Sequence, residues 1–101
     1  MKIPKTIKVG GFIWTIQEDE KIATEGSVYG STHHGKQQIF IDPDISQQKK
    51  EQTLLHEIMH TVFWQSGLNF RYRENKDFEE DVVTSLSMGL YQVLKDNNFL
   101  K

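Results

Sequence analysis

The run His56-Glu57-Ile58-Met59-His60 has the residue types and spacing of a metal-dependent hydrolytic site. Four-residue spacing on a helix places the two imidazoles one turn apart, with Cβ atoms about 5–6 Å from each other. Two imidazole nitrogens arranged in this way can both bind one zinc ion, at about 2.0–2.1 Å. Glu57 lies about 100° further round the helix, so we expect it to serve as a general base for water in the metal's open position rather than as an equal ligand.

A hydrolytic zinc site usually has a third protein ligand, and the chain contains no Cys and only four His. The third ligand is therefore expected to be a carboxylate from residues 77–81, DFEED. Periodicity places Glu79 at the centre of an apolar helix face and Glu80 on its flank, which mildly favours Glu79 because a buried carboxylate needs a neutralising partner. Asp77 and Glu80 could instead form a capping box, unless Asn75 caps the helix and leaves Glu80 free.

The composition restricts the classes of function open to the chain. It has 101 residues, of which 37% are hydrophobic and 26% charged, with a net charge of −2 and a pI near 6.0. This is typical of one globular domain without the basic surface that binds a phosphate backbone, so we expect no nucleic-acid partner. The N-terminal residues do not resemble a secretory signal, and no stretch has the roughly 20 apolar residues of a membrane span. We therefore expect a cytoplasmic protein with no membrane partner.

The residues before Pro43 show the period-two alternation of strands. In residues 12–17 the side chains of Phe12, Trp14 and Ile16 share one face, which is typical of a half-buried strand. Gly10-Gly11 predicts the turn of a first hairpin. A second strand pair is predicted at 27–30 and 37–42, joined by a polar tip at 31–35. Residues 6–42 thus predict three or four antiparallel strands.

The residues after Pro43 show helical periodicity instead. A first helix is predicted over 46–65, with Asp44 or Ser46 as its N-cap and Gly67 as its C-terminal glycine. A second amphipathic helix is predicted over 78–96. The fold class is therefore α+β, with a small antiparallel sheet followed by two packed helices in a single domain, residues 1–101.

Three segments give the chain a resemblance to a known family. They are the strand QQIFID, the helical run TLLHEIMH and the later helix EDVVTSLSMGLYQVLKDN. Over about residues 26–97 the chain resembles the ImmA/IrrE-like zinc metallopeptidase domains of bacteria and their phages or mobile elements, within the gluzincin group. The resemblance implies a minimal zincin-like fold in which a strand, the zinc helix and a ligand-bearing helix follow one another.

The resemblance implies a different third ligand from the one that periodicity favours. In those families the ligand Glu is commonly followed by a small or β-branched residue three positions on, then by an apolar and a small residue at six and seven. Glu80 has Val83, Leu86 and Ser87 at these positions, whereas the residues after Glu79 fit less well. The metal ligands implied are therefore His56, His60 and Glu80, with Glu79 as the second choice.

The function implied is a zinc-dependent metallopeptidase that hydrolyses a peptide bond, with Glu57 as its catalytic base. Its partner would be a polypeptide substrate, or a regulatory protein, and strand 38–41 would be the sheet edge along which the substrate lies. The alternative is a small regulatory or interaction protein with a metal site and little or no turnover. The small size favours the alternative, whereas Glu57 beside the metal ligands disfavours it.

The sequence does not determine which group stabilises the oxyanion during hydrolysis. A hydrogen-bond donor is needed there, and several side chains carry one. The candidates are Tyr91, Tyr72, Arg71, Arg73, His33 and His34.

Overall fold

A computed structural model of the chain describes residues 1–19 and 29–100. It confirms the α+β class, because a four-stranded sheet is followed by two long helices and one short helix. The elements in chain order are β1 (Thr6–Val9), β2 (Phe12–Glu18), β3 (Gly30–His33), β4 (Gln38–Ile41), α1 (Gln47–Gln65), α2 (Leu68–Arg71) and α3 (Lys76–Asp96).

The first hairpin forms where the two glycines predict it. Gly10 and Gly11 have φ of 59° and 84°, so the two-residue turn needs the left-handed region at both positions. The turn aligns Val9 of β1 with Phe12 of β2 in an antiparallel ladder.

The sheet is mixed rather than antiparallel throughout, which corrects the predicted topology. Its strand order is β1-β2-β4-β3, and β2 runs parallel to β4 with Ile16 aligned to Ile39. The other two pairs are antiparallel, as predicted. Alternation along a strand fixes which face each side chain occupies, but it carries no information about the direction of the neighbouring strand.

The second hairpin lies further along the chain than predicted. Its first strand is β3, so Ser31 to His33 are strand residues rather than a loop tip, and residues 34–37 form the turn. Residues 27 and 28 of the predicted strand lie outside the described residues. Because β4 pairs with β2 on one side and β3 on the other, it is not the sheet edge that the family resemblance implied. Among the strands formed by the described residues, β3 is the outermost on this side of the sheet.

One face of the sheet carries the main apolar core. Trp14 and Ile16 of β2 and Ile39 and Ile41 of β4 point to this face, and Leu54 of α1 packs on them. Trp14 is only 1% exposed. Burying side chains of this size contributes about 1.5–3 kcal/mol each, so this cluster holds α1 against the sheet.

The helix termini agree with the capping residues that the sequence offers. Ser46 caps α1, its Oγ accepting a hydrogen bond from the Lys49 amide at 3.1 Å. Gly67 follows α1 with φ of 82°, as predicted. The second long helix begins at Lys76 instead of residue 78, with Asn75 at its N-cap position, so Asp77 does not cap it and Glu80 remains available for another role.

A buried carboxylate joins α1 to α3. Glu51 of α1 is 2% exposed, and its oxygens accept hydrogen bonds from the Met1 ammonium at 3.0 Å and the Tyr91 hydroxyl at 3.1 Å. Lys95 lies 3.8 Å away. Burial acts to raise the pKa of Glu51, but these donors and the two positive charges outweigh it, so the pKa lies below its ordinary value.

We predict that Glu51→Gln lowers the free energy of unfolding at pH 7 by about 1–3 kcal/mol. A carboxylate with a lowered pKa in the folded state stabilises the fold above its ordinary pKa, and this contribution disappears as the pH falls through the folded-state value. Urea denaturation from pH 7 to pH 3 should therefore show a smaller acid-induced loss in the variant than in the wild type. Glu18→Gln, at an exposed ion pair with Lys50, is the control and should change stability by less than about 1 kcal/mol. Equal acid sensitivity of Glu51→Gln and wild type would contradict the assignment.

Strand β3 approaches α1 closely at Gly30. A Cβ built at Gly30 would lie 2.6 Å from Thr53 Cγ2 and 3.0 Å from the Phe40 carbonyl oxygen. We predict that Gly30→Ala lowers the free energy of unfolding by about 1–3 kcal/mol, because both the helix contact and the strand ladder must shift. Thr53→Ser removes the nearest atom and should recover part of this loss.

Gly35→Ala is the matched control, because a Cβ at Gly35 meets nothing within 4 Å. Thermal and urea denaturation compare the wild type with Gly30→Ala, Gly35→Ala and the double variant in which Gly30→Ala is combined with Thr53→Ser. Equal stability of Gly30→Ala and Gly35→Ala would show that β3 is free to move away from the helix.

Candidate metal centre

Helix α1 places the imidazoles of the two predicted metal ligands, His56 and His60, side by side. The Nε2 atoms of His56 and His60 are 3.2 Å apart, and the ring centroids are separated by 4.9 Å. Both side chains are partly exposed and line a common cavity. One helical turn therefore presents two nitrogen ligands to the same point, as the sequence predicts.

Helix α3 adds Glu80 to the pair. One carboxylate oxygen of Glu80 lies 3.1 Å from His56 Nε2 and the other lies 3.1 Å from His60 Nε2. With a single oxygen taken from Glu80, the three ligand atoms all lie within 4.8 Å of one another. The Thr84 hydroxyl donates a hydrogen bond to Glu80 Oε1 at 3.3 Å and helps to orient it. The structure thus brings together the three residues expected to bind the metal.

This cluster has the donor chemistry of a zinc site. Ligand atoms about 2.0–2.1 Å from a shared tetrahedral ion lie roughly 3.3 Å apart. The two imidazole Nε2 atoms are 3.2 Å apart, and each lies 3.1 Å from a different oxygen of Glu80. Two imidazoles and one carboxylate leave a fourth position open, as in catalytic rather than structural sites. The residues present therefore fit a divalent metal ion. Within residues 1–19 and 29–100, this is the one group of three His, Asp or Glu side chains whose ligand atoms lie close enough together to share a metal ion.

Glu79, the second choice for the third ligand, lies on the opposite side of His60. The Nδ1 atom of His60 donates a hydrogen bond to Glu79 Oε2 at 2.6 Å. This bond places the imidazole proton on Nδ1 and leaves Nε2 with a lone pair directed towards His56 and Glu80. The same bond compensates for a carboxylate at the centre of the apolar face of α3, which is where periodicity places Glu79.

Glu57, the residue that the sequence predicts to be a general base, lies beside this cluster. It is 6% exposed, yet it lines the cavity, and the Thr32 hydroxyl of β3 donates a hydrogen bond to its Oε1 at 2.7 Å. Burial raises the pKa of Glu57, while the Thr32 bond and the imidazoles of His60 and His56 act in the opposite direction without cancelling the effect. A carboxylate with a raised pKa is well suited to accept and return a proton.

The cavity beside the cluster has a volume of about 500 Å³. Edge strand β3 forms one wall, helices α1 and α3 form the others, and both polar and apolar side chains line it. Besides the cluster residues, Glu57 and Thr84, the side chains that line the cavity include Tyr29, Ser31, Lys49, Gln52, Ser87 and Met88.

None of the six candidate oxyanion donors lines this cavity in the described part of the chain. The Tyr91 hydroxyl donates to Glu51, and the Tyr72 ring packs on Phe78. Arg71 and Arg73 border a separate surface cavity. His33 is exposed at the end of β3, and His34 stacks on Trp64 with ring centroids 4.2 Å apart.

Two contributions to the site are missing from the sequence-based predictions. Thr32 binds Glu57 from a residue 25 positions away in the chain, and no sequence pattern marks that contact. The role of Glu79 as the partner of His60 was also missed, although its central position on an apolar face indicated that something must neutralise it.

Comparison of the chain with protein-family models, curated proteins and solved structures finds no significant match. The family resemblance therefore remains a prediction. Among the described residues, no helix has both the length and the apolar character needed to cross a membrane.

We predict that Glu80→Ala weakens zinc binding more than Glu79→Ala does. Removing Glu80 deletes a ligand, whereas removing Glu79 loses only the bond that orients His60, an effect of about 10–100-fold on affinity. Competition with a chromogenic chelator measures both affinities, and circular dichroism checks the fold. Asp81→Ala, exposed on the same helix turn, is the control and should bind zinc as the wild type does. Wild-type affinity in Glu80→Ala, together with loss in Glu79→Ala, would reverse the two roles.

Proposed function

We propose that this protein is a zinc-dependent hydrolase of peptide bonds, as the resemblance to ImmA/IrrE-like metallopeptidases implies. The observation that carries the proposal is the convergence of His56, His60 and Glu80 in a cavity that also contains a buried glutamate, Glu57. A metal site that served only to hold the fold together would not need a proton acceptor beside its ligands. An open ligand position together with a base is the combination that hydrolysis needs.

Different residues have different roles in the proposed reaction. His56, His60 and Glu80 would hold the zinc ion, and Glu79 orients the imidazole of His60 through its bond to Nδ1. When bound, zinc supplies Lewis acidity that lowers the pKa of water and polarises a carbonyl oxygen.

Glu57 transfers the proton in this proposal. Thr32 engages Oε1, so Oε2 is the oxygen that accepts a proton from the attacking water. Burial raises the pKa of Glu57, which makes it a stronger proton acceptor than an exposed carboxylate, and the same atom can return the proton to the leaving amine.

The proposed substrate lies along β3. This strand is the edge of the sheet as described, and Ser31 lines the cavity beside the cluster. An extended peptide can add to such an edge through main-chain hydrogen bonds, which gives affinity with modest dependence on side chains. The strand proposed to bind the substrate is thus β3, instead of the expected strand β4.

We predict that Glu57→Gln retains zinc and lowers peptide cleavage by about 10²–10⁴-fold, because only the proton acceptor is lost. Zinc content by mass spectrometry and cleavage of a mixed peptide library measure the two properties on the same sample. Glu74→Gln, at an exposed position away from the cavity, is the matched control and should retain both.

Undiminished cleavage by Glu57→Gln would rule out its role as the base. A wild-type protein that binds zinc stoichiometrically but cleaves no peptide would favour the alternative function, a regulatory protein with a metal site and no turnover.

A further inference from the structure

Among the described residues that line the cavity beside the metal cluster, Lys49 of α1 is the one lysine or arginine. Its ammonium nitrogen lies 5.3 Å from the centre of the Tyr29 ring, which also lines the cavity. A cation over an aromatic face is attracted to the ring without losing its charge, so the contact restricts where the ammonium points. Tyr29 therefore keeps a positive charge at the cavity wall.

The charge of Lys49 is not neutralised by the described part of the protein. Its neighbour Lys50 pairs with Glu18, and Lys95 pairs with Glu51, but no ion pair forms at Lys49 within residues 1–19 and 29–100. The N-terminus of α1 carries the partial positive charge of the helix dipole. Because the first turn of α1 contains no acidic residue, this charge adds to the positive potential at Lys49.

The carboxylates that line the cavity are engaged elsewhere. Glu57 is bound by Thr32, and Glu80 faces the two imidazoles at the far end of the same helix face. The cavity is consequently polarised along its length, with the metal cluster at one end and, at the other, an ammonium that forms no ion pair within residues 1–19 and 29–100.

The separation of the two ends corresponds to a short length of peptide. Lys49 precedes His56 by seven residues, or about 10 Å along the helix axis. An extended peptide advances about 3.3 Å per residue, so this distance spans about three residues. A group on the substrate that reaches Lys49 is therefore about three residues from the bond at the metal cluster.

We propose that Lys49 is a specificity-determining residue that binds a carboxylate of the peptide substrate, about three residues from the scissile bond. This inference rests on the proposed function, since it names the substrate class of the same site. The carboxylate has two possible sources, an acidic side chain within the chain or the α-carboxylate at a peptide's C-terminus. Both present the same charged oxygens to the ammonium.

Binding by the zinc-loaded Glu57→Gln protein tests the proposal without requiring turnover. The probes are peptides that differ by one Glu or Gln at successive positions, each made with a free or an amidated C-terminus. Calorimetry should show that the best carboxylate-containing peptide binds about fivefold to tenfold more tightly than its uncharged counterpart. Preference confined to Glu-containing peptides identifies a side chain as the source, and preference confined to free C-termini identifies the α-carboxylate.

Variants at the cation assign the preference to Lys49. Lys49→Met should abolish the difference between charged and uncharged peptides, and Lys49→Glu should reverse it in favour of a Lys-containing peptide. Lys50→Met, which removes an adjacent cation already paired with Glu18, should retain the preference. Equal binding of the paired peptides by the parent protein would overturn the proposal, as would a preference that persists in Lys49→Met.

Cleavage by the wild-type protein separates this inference from the proposed function. Peptide hydrolysis with no preference for carboxylates would support the function and overturn the role of Lys49. Carboxylate preference in binding, lost in Lys49→Met and with no cleavage of any peptide, would support the role of Lys49 as a binding residue and overturn the hydrolase.

Discussion

Two imidazoles and three carboxylates meet where α1 packs against α3, and the electrostatic cost of this arrangement constrains the surrounding structure. Carboxylates this close together are unfavourable unless donors or a cation compensate for them. Thr32 compensates Glu57 from the sheet, and the His60 Nδ1–H group compensates Glu79 within the helix pair. Glu80 is 60% exposed and faces the cavity, where a divalent cation would complete the balance. The sheet edge, both long helices and the cavity are thus arranged around one concentration of charge.

The consecutive residues Glu79 and Glu80 have different roles because of helical geometry. Their side chains leave α3 about 100° apart. Glu79 therefore contacts Nδ1 of His60, whereas Glu80 lies beside its Nε2. A single imidazole is consequently held from two sides by one turn of a neighbouring helix. Asn75 at the N-cap position of α3 makes this possible, because the Glu80 carboxylate is not used in a capping box.

The sequence predicted those features whose signals are local. The His56–His60 spacing, the buried face containing Trp14 and the Gly10-Gly11 turn each depend on a few neighbouring residues, and each is found in the structure. Contacts between distant residues could not be predicted in this way. The parallel pairing of β2 with β4 and the bond from Thr32 to Glu57 both depend on how the chain closes in three dimensions. Periodicity also could not separate Glu79 from Glu80, since the difference between them is set by the partner helix.

The parallel pairing of β2 with β4 affects how the candidate metal ligands come together during folding. The apolar surface on which Leu54 packs is built from both strands, with Trp14 from one and Ile39 from the other. Contacts between parts of the chain this far apart carry a loop-closure entropy that must be offset before α1 can dock. Folding should therefore be slower than that of a helical bundle of equal length. Since α1 carries two of the candidate ligands and meets the third only on α3, tight metal binding would require the completed tertiary structure and not the helical segment alone.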